Sequence, residues 1–295
     1  MDGTMVGQVR HFNRTVTQRV GALNDAYLAR TRQLGQARLL WEIGAEGSEV
    51  RSLRARLGLD SGYTSRLLRA LQADGLVVVE PAEDGRVRQV RLTRAGEAER
   101  AELDRLSDEL ATSILEPLSA AQRTRLVAAM AEVDTLLVAS AVQTAVLDPR
   151  HPDARRAVQA YVDELAHRFD DGFDPARSIS AADDELTPPN GLLLTATLHG
   201  EAVGIGALKF HDGDQAEVKR MWVAPTVRGM GLGRRILTEL ETHARLHGVR
   251  LLRLETNRAL AEAIALYRAA GYREVEAFSD EPYAHHWFEK ALDQP

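Results

Sequence analysis

VKRMWVAPTVRGMGLGRRIL (218–237) starts as a strand-like run, stops at Pro225, and then sets glycine at 229, 231 and 233 directly before a helical pattern. Glycines in such a loop commonly mark a phosphate cradle, because a missing side chain lets the backbone approach the ligand closely. Three cradles can be compared. A P-loop requires a lysine after its last glycine, and none follows here. A dinucleotide fingerprint beginning at Gly231-Leu-Gly233 would require glycine or alanine at 236, which is isoleucine, although Glu255 stands roughly where a ribose-binding acid would be expected. The third is Arg-Gly-x-Gly-x-Gly-Arg, residues 228–234, between a strand and a helix. There the helix N-terminus offers free N–H groups and a positive dipole to a pyrophosphate, and Arg228, Arg234 and Arg235 add charge. A purely structural turn is the alternative, but it would not need three alternate glycines with arginine at both ends.

Outward from this loop the chain has a mixed α/β texture. A helix is expected over about 154–169, then a loop rich in Gly, Pro and Asp. GLLLTATLHG (191–200) and EAVGIGALKF (201–210) read as strands, EVKRMWV (217–223) as a third and LLRLET (251–256) as a fourth. RALAEAIALYRAAG (258–271) reads as the last helix and AHHWFEKAL (284–292) as a final strand.

The loop, with MWVAP before it and LETNRALAEAIALYRAAGYREV after it, closely resembles the GNAT family of N-acetyltransferases over about 154–292. The resemblance implies an α/β fold with a mixed, splayed central sheet and acetyl-CoA as acyl donor. It implies that the pantetheine arm runs along Met221, Trp222 and Val223. Arg228, Gly229, Met230, Gly231, Gly233 and Arg234 would hold the pyrophosphate, with Asn257 and Tyr267 also at the cofactor. By the same resemblance Tyr267 is the general acid that protonates the leaving thiolate, the Val223 N–H is the oxyanion donor, and Glu217 is a base acting on the amine. Read from the residues alone, Tyr267 could be a core aromatic and Glu217 a solvated carboxylate. Pro282–Trp287 and the loop at 170–190 are expected to line the amine pocket.

The first half of the chain reads differently. SEVRSLRARLGLDSGYTSRLLRALQADGLVVVEP (48–81) gives a short helix, a turn at Gly58, a second helix over about Ser61–Ala73 and the start of a strand. AEDG (82–85) turns the chain and RVRQVRL (86–92) returns it, completing a winged helix-turn-helix. Such a unit reads DNA with small and polar residues at the start of its second helix: here Ser61, Gly62, Tyr63 and Thr64, followed by Arg66 and Arg69. Arg86 and Arg88 on the wing suit the electronegative minor groove. A packed helical domain with arginines on a solvated face is the plainer alternative. Helical patterns at 6–43 and 96–140 flank the motif, the second broken around Pro117. The stretch from about 8 to 140 resembles MarR-type transcriptional regulators, notably at DGRVRQVRLTRAG and LSAAQRTRL. That resemblance implies a homodimer with intertwined first and last helices, reading a palindromic double-stranded DNA site. The wing has AEDG where the family often carries a denser Asp/Arg run.

Composition sets the frame. A chain of 295 residues is long for a single core, and the domains are expected at 1–146 and 154–295, joined by a linker at 147–153 whose sequence carries two prolines. There are no cysteines, which excludes disulfides, thiolate metal sites and cysteine nucleophiles. His285 and His286 are adjacent on a predicted strand and so point to opposite faces, and no metal is expected. No apolar run approaches the ~20 residues that cross a bilayer, and MDGTMVGQVRHFNRT lacks the apolar segment of a secretion signal. A cytoplasmic protein without membrane partners is expected. The net charge is −6, yet residues 1–100 hold sixteen arginines against twelve acidic residues, as a nucleic-acid-facing half would. These readings combine into a DNA-binding regulator fused to an acetyl-CoA-dependent N-acetyltransferase acting on a small-molecule or protein amine. The alternatives are a regulator whose second domain senses acetyl-CoA without turnover, and an enzyme that uses the winged helix only to dimerise.

Overall fold

The computed structural model describes residues 2–21, 28, 33–81, 87–179 and 181–293. Its contacts divide the chain into two units, Met1–Met130 and Ala131–Pro295.

In the first unit α1 (Gly3–Arg19) is capped by Asp2, whose side chain accepts the Thr4 N–H at 3.0 Å. Its apolar residues Met5, Val9, Phe12 and Val16 recur every three or four positions and are all exposed. The expected helical region at 6–43 includes α1 and α2 (Leu34–Ile43), and its residues 22–27 and 29–32 lie outside the described residues. β1 (Ser48–Glu49) leads into α3 (Val50–Leu57), then α4 (Ser61–Ala73). β2 (Val77–Pro81) and β3 (Arg88–Leu92) form the antiparallel wing, with Val77 opposite Leu92 and Pro81 opposite Arg88; β1 adds to the other edge of β3. α5 (Arg94–Leu115) and α6 (Ala120–Ala141) follow, broken around Pro117 as the sequence predicts, and α6 continues past Met130 into the second unit. Leu39, Leu40, Leu53, Leu68, Leu71, Val90 and Leu103 make the core, so α2 to α5 and the wing share one apolar cluster. α6 buries no residue, and its Val127, Met130, Leu136 and Leu137 are exposed.

The second unit is built on a seven-stranded sheet in the order β4-β5-β6-β7-β8-β10-β9. Its elements are β4 (Gln143–Leu147), α7 (Pro152–Arg168), β5 (Gly191–Leu198), β6 (Glu201–Phe210), β7 (Gln215–Val223), α8 (Leu232–Leu246), β8 (Leu251–Thr256), α9 (Ala261–Ala269), β9 (Arg273–Val275) and β10 (His286–Ala291). Every pairing is antiparallel except β7 with β8. Leu192, Leu194 and Ala196 of β5 pack with Ile236, Leu237 and Leu240 of α8, while Leu193 packs with Ala154 and Ala157 of α7. Both faces of β5 are therefore covered, which is why its sequence is almost continuously apolar rather than alternating.

The sheet begins upstream of the expected domain boundary. Residues 143–146, assigned from sequence to the first domain, pair as β4 with β5, from Gln143 opposite Thr197 to Leu147 opposite Leu193. The two prolines of 147–153 punctuate this domain rather than link two. Pro149 lies in the turn after β4, where the Asp148 side chain accepts the Arg150 N–H, and Pro152 opens α7, where its missing N–H costs nothing.

Candidate active site and nucleic-acid interface

β7 and β8 are paired only at Gln215–Leu251, Ala216–Leu252 and Glu217–Arg253. Beyond Glu217 they part, and the cause is a bulge. On β6, Ile205 faces Trp222 and Ala207 faces Lys219, so Arg220 and Met221 together oppose Gly206 alone. Arg220 takes a left-handed φ of 54°, which bends β7 away from β8. Gly206 makes room for the bend: a Cβ there would sit 2.8 Å from Met221 Sδ, Ile236 Cγ2 and Leu240 Cδ1. At the far end of β7 the Ala224 N–H donates to Val203 O at 2.9 Å, making 203/224 a hydrogen-bonded pair. The neighbouring pair Gly204/Val223 is then the non-bonded kind, and the Val223 N–H and C=O both face away from β6. Arg228 Nε takes that carbonyl at 3.0 Å, and the N–H is turned toward the gap.

A cleft of about 330 Å³ occupies the gap. Met221, Trp222, Val223, Arg228, Gly229, Gly231, Gly233, Arg234 and Tyr267, all expected at the cofactor, line it. Gly229 and Gly231 hold left-handed φ values of 79° and 78°, which L-residues with side chains resist, and the space above both is open. Gly231 also caps α8 without a side-chain hydrogen bond, so the first N–H groups of the helix remain available. These features fit a pyrophosphate. Met230 departs from expectation: its side chain packs against the core beneath the loop, and it does not line the cleft. Arg235 turns to β4, donating to Val142 O at 2.9 Å.

Tyr267 on α9 lines this cleft and a second cavity of about 210 Å³ that shares Tyr161, Leu165 and Met221 with it, and it is 4% exposed. Its ring packs against Tyr272 and Phe288, both with centroids 6.0 Å away, and among the described residues its hydroxyl has no hydrogen-bond partner. Burial pushes its pKa well above the usual phenolic value, so the proton stays on oxygen through neutral pH. Asn257 lines the second cavity, not the cleft. Its amide donates to Tyr283 O and accepts the Ala259 N–H, both at 2.8 Å, tying the loop before β10 to the end of β8. Phe173, Pro175, Ile179, Tyr283 and Ala284 contribute from the two loops expected around the amine, joined by Glu281 just before the second, whereas Pro282, His285, His286 and Trp287 do not line the cavity.

Glu217 lies outside the lining of both cavities. It sits where β7 and β8 are still paired, with Oε2 3.1 Å from Lys219 Nζ. Lys219 in turn reaches Glu255 Oε1 at 2.5 Å, and Glu255 does line the second cavity. Burial would lower the Lys219 pKa, but the two carboxylates outweigh it and hold the ammonium charged. Sequence reading expected the helix α7 but none of its side chains at the site. Tyr161, Glu164 and Arg168 recur at three- and four-residue steps and line the cleft, a polar stripe within an apolar helix face. Arg168 joins Glu164 (3.2 Å), Glu262 (2.6 Å) and the Ala259 carbonyl (2.7 Å).

In the first unit Asp60 caps α4 by accepting the Tyr63 N–H at 2.8 Å. Ser61, Gly62, Arg66 and Arg69 are exposed along the helix, and Arg88 is exposed on β3. Tyr63 is half-buried, with the Arg66 guanidinium 5.6 Å from its ring centroid. Thr64 corrects the sequence expectation. It is 1% exposed, its hydroxyl donates to Asp60 O at 2.8 Å, and it shares the inward face of α4 with Leu67, Leu68 and Leu71. Arg86 and the wing turn at 82–85 lie outside the described residues.

Comparison with known proteins agrees with this division. Residues 157–272 match the acetyltransferase (GNAT) family and residues 30–86 match the MarR family. An IAA acetyltransferase of Azospirillum brasilense is 38% identical over 136 residues, 45% of this chain and 87% of that protein. An uncharacterized N-acetyltransferase of Schizosaccharomyces pombe is 31% identical over 139 residues, 44% of this chain and 80% of that one. Among solved structures, a GNAT-family acetyltransferase of Staphylococcus aureus aligns over 52% of this chain and all of that one, at 16% identity and a TM-score of 0.45. The chain belongs to the GNAT acetyltransferase family, and it carries a MarR-family region in the same polypeptide. Among the described residues no helix is long and apolar enough to cross a membrane, and no group of three or more His, Asp or Glu could hold a metal.

Proposed function

We propose that the protein is a DNA-binding regulator that also transfers an acetyl group from acetyl-CoA to an amine by direct attack. The observation that carries the enzymatic half is Tyr267, a buried phenol shared by the walls of the two cavities and protonated at neutral pH. When bound, acetyl-CoA supplies an acetyl group activated as a thioester. Gly229, Gly231 and the N-terminus of α8 receive the pyrophosphate, with Arg228 and Arg234 neutralising it. The Val223 N–H, turned toward the gap, is the donor for developing oxyanion charge. Tyr267 holds a proton at Oη for the departing sulfur.

The amine must lose a proton. Glu217, Lys219 and Glu255 form a chain with one net negative charge, and Glu255 is its end at the cavity. Glu255 therefore takes the proton, with Glu217 acting through Lys219 to keep the chain anionic. Trp222 and Met221 shape the cleft, and Asn257 fixes the loop that closes the acceptor side.

Support for the regulatory half comes from Ser61, Gly62, Arg66, Arg69 and Arg88, exposed on the helix and wing that a MarR-family region uses. The uncovered apolar residues of α1 and α6 suit the homodimer that a palindromic site requires. One experiment tests the enzymatic half. The full chain is incubated with acetyl-CoA and a panel of amines, and acetylated products are read by mass spectrometry against the uncatalysed hydrolysis rate. Tight acetyl-CoA binding without product on any amine would leave the domain as a sensor.

A further inference from the structure

The second cavity has a feature the transfer chemistry does not use. Arg220, on the bulge of β7, lines it, and an arginine with φ of 54° carries strain that surrounding structure must hold. Its Nη2 donates to Ala181 O at 2.8 Å, which orients the guanidinium from the loop side. A guanidinium has five donors, more than its bonds to the protein need, and two of them can take a planar carboxylate. Tyr161, from α7, lines both the cavity and the cofactor cleft, and among the described residues its hydroxyl has no hydrogen-bond partner. Burial pushes the Tyr161 pKa up to about 12, so it is a donor at neutral pH, and the charges it senses are those of Arg220, Glu281 and Glu255.

The opposite charge has a place as well. Glu281 lines the cavity, and among the described residues the donors to its carboxylate are neutral: Ser178 Oγ at 3.0 Å, Ile179 N at 2.6 Å and Tyr283 N at 3.2 Å. Those bonds hold its charge in place without cancelling it. A cation-and-phenol pair beside a fixed anion suits a zwitterion better than a simple cationic amine. One stretch of the wall is aromatic: Phe169, Phe173 and Tyr283 pack edge-on or tilted, with centroids 4.9 to 5.8 Å apart.

We propose that the acceptor is an α-amino acid with an apolar side chain, its carboxylate held by Arg220 and Tyr161 and its side chain by the aromatic wall. This rests on the acetyltransferase reading above. It gives the strained arginine a purpose: the bulge that opens the cofactor gap also sets the guanidinium into the acceptor cavity.

The test compares phenylalanine with phenethylamine, which lacks only the carboxylate, and with phenylalaninamide, which lacks only its charge. The full chain should acetylate phenylalanine with a kcat/KM at least ~100-fold above either analogue, since a site built to pair a buried charged group rejects a ligand that lacks it. In Arg220→Gln that preference should collapse to within a few-fold of unity, and Arg220→Lys should recover part of it. Tyr161→Phe should lower it by about 10-fold. Calorimetric binding of acetyl-CoA, measured on each variant, reports whether the fold is kept. Equal turnover of phenylalanine and phenethylamine by the wild-type chain overturns the carboxylate assignment while leaving the acetyltransferase standing. A preference that survives in a folded Arg220→Gln overturns the role of Arg220. No product with any amine, despite acetyl-CoA binding, defeats the acetyltransferase reading itself.

Discussion

Both carboxylate oxygens of Glu164, on α7, lie 2.5 Å from Nη2 of Arg228, the first residue of the glycine loop. The same carboxylate accepts the Trp222 indole N–H at 2.8 Å, so one acid ties α7 to the end of β7 and to the loop. A pyrophosphate entering the cleft must share Arg228 with this acid and sit near its charge. A like charge at about 4 Å in a solvated cleft costs roughly 1 kcal/mol. Glu164→Gln keeps an oxygen for the indole and removes that charge, and it should tighten acetyl-CoA binding by about 5-fold at low salt, less as ionic strength rises. Burial raises the Glu164 pKa, but hydrogen bonds from Arg228, Trp222 and Arg168 outweigh this and hold it below the usual carboxylate range. The acid is thus charged throughout the neutral range, and the gap between wild type and variant should stay constant from about pH 6 to 9. Equal or weaker binding by the variant would mean that Glu164 serves the site by ordering Arg228.

A second prediction concerns Gly231. A Cβ there would meet no neighbour within 4 Å, so Gly231→Val starts into open space. It does place a β-branched residue at φ 78° and a side chain where the phosphate must approach. Gly231→Val should lower acetyl-CoA affinity at least ~10-fold by calorimetry, about 1.4 kcal/mol. Gly231→Ala, which carries backbone strain with less bulk, should fall between. Unchanged affinity in the valine variant would remove the loop from the cofactor site.

The parts of the sequence that announced this site were those where backbone chemistry leaves a residue signature. Alternate glycines between a strand and a helix are such a signature, and so are the cap, stripe and stop of α4, whose predicted span coincides with the observed one. β4 was hidden because QTAVL is short and exposed on much of its surface, so its alternation carries little contrast. The second cavity was hidden for a different reason. Tyr161, Arg220, Glu255 and Glu281 come from α7, β7, β8 and the loop before β10, and only the sheet topology brings them together. Glu217 lies before the point where β7 and β8 part, which only the pairing register reveals. Thr64 was misjudged on facing: it lies at the i−3 and i−4 positions to Leu67 and Leu68, a spacing that already marks the buried face.

Tyr267 yields the third prediction. Tyr267→Phe keeps the ring packed against Tyr272 and Phe288 and removes one hydroxyl. The turnover number should fall by roughly 10²-fold, with acetyl-CoA affinity little changed, because the proton is needed only as sulfur departs. Since the phenol is held protonated by burial, the wild-type rate should show no loss from this group on the alkaline side up to about pH 9. Full activity in the phenylalanine variant would assign the proton to water or to another residue.

The last prediction tests the DNA-reading half. If the apolar residues of α1 and α6 meet those of a second copy, two α4 helices are related by a two-fold axis, and the footprint should be palindromic with half-site centres about 10 base pairs apart. Phe12→Asp puts a charge into the exposed stripe of α1 and should shift the chain toward monomer in sedimentation while weakening DNA binding. Arg66 and Arg69 stand on the exposed side of α4, and Arg66→Ala should cost about 1–3 kcal/mol and relax specificity at one position if it pairs with a base. Arg88 lies on the wing, and Arg88→Ala should weaken all sequences alike and flatten the salt dependence, as loss of a phosphate contact does. Thr64 supplies the contrast, because its hydroxyl is already bonded to Asp60 O and turned inward. Thr64→Val should lower the stability of the unit without changing which bases are preferred. A changed preference in that variant would mean that α4 enters DNA by a face other than the one Arg66 and Arg69 define, and an asymmetric footprint would remove the paired-helix reading altogether.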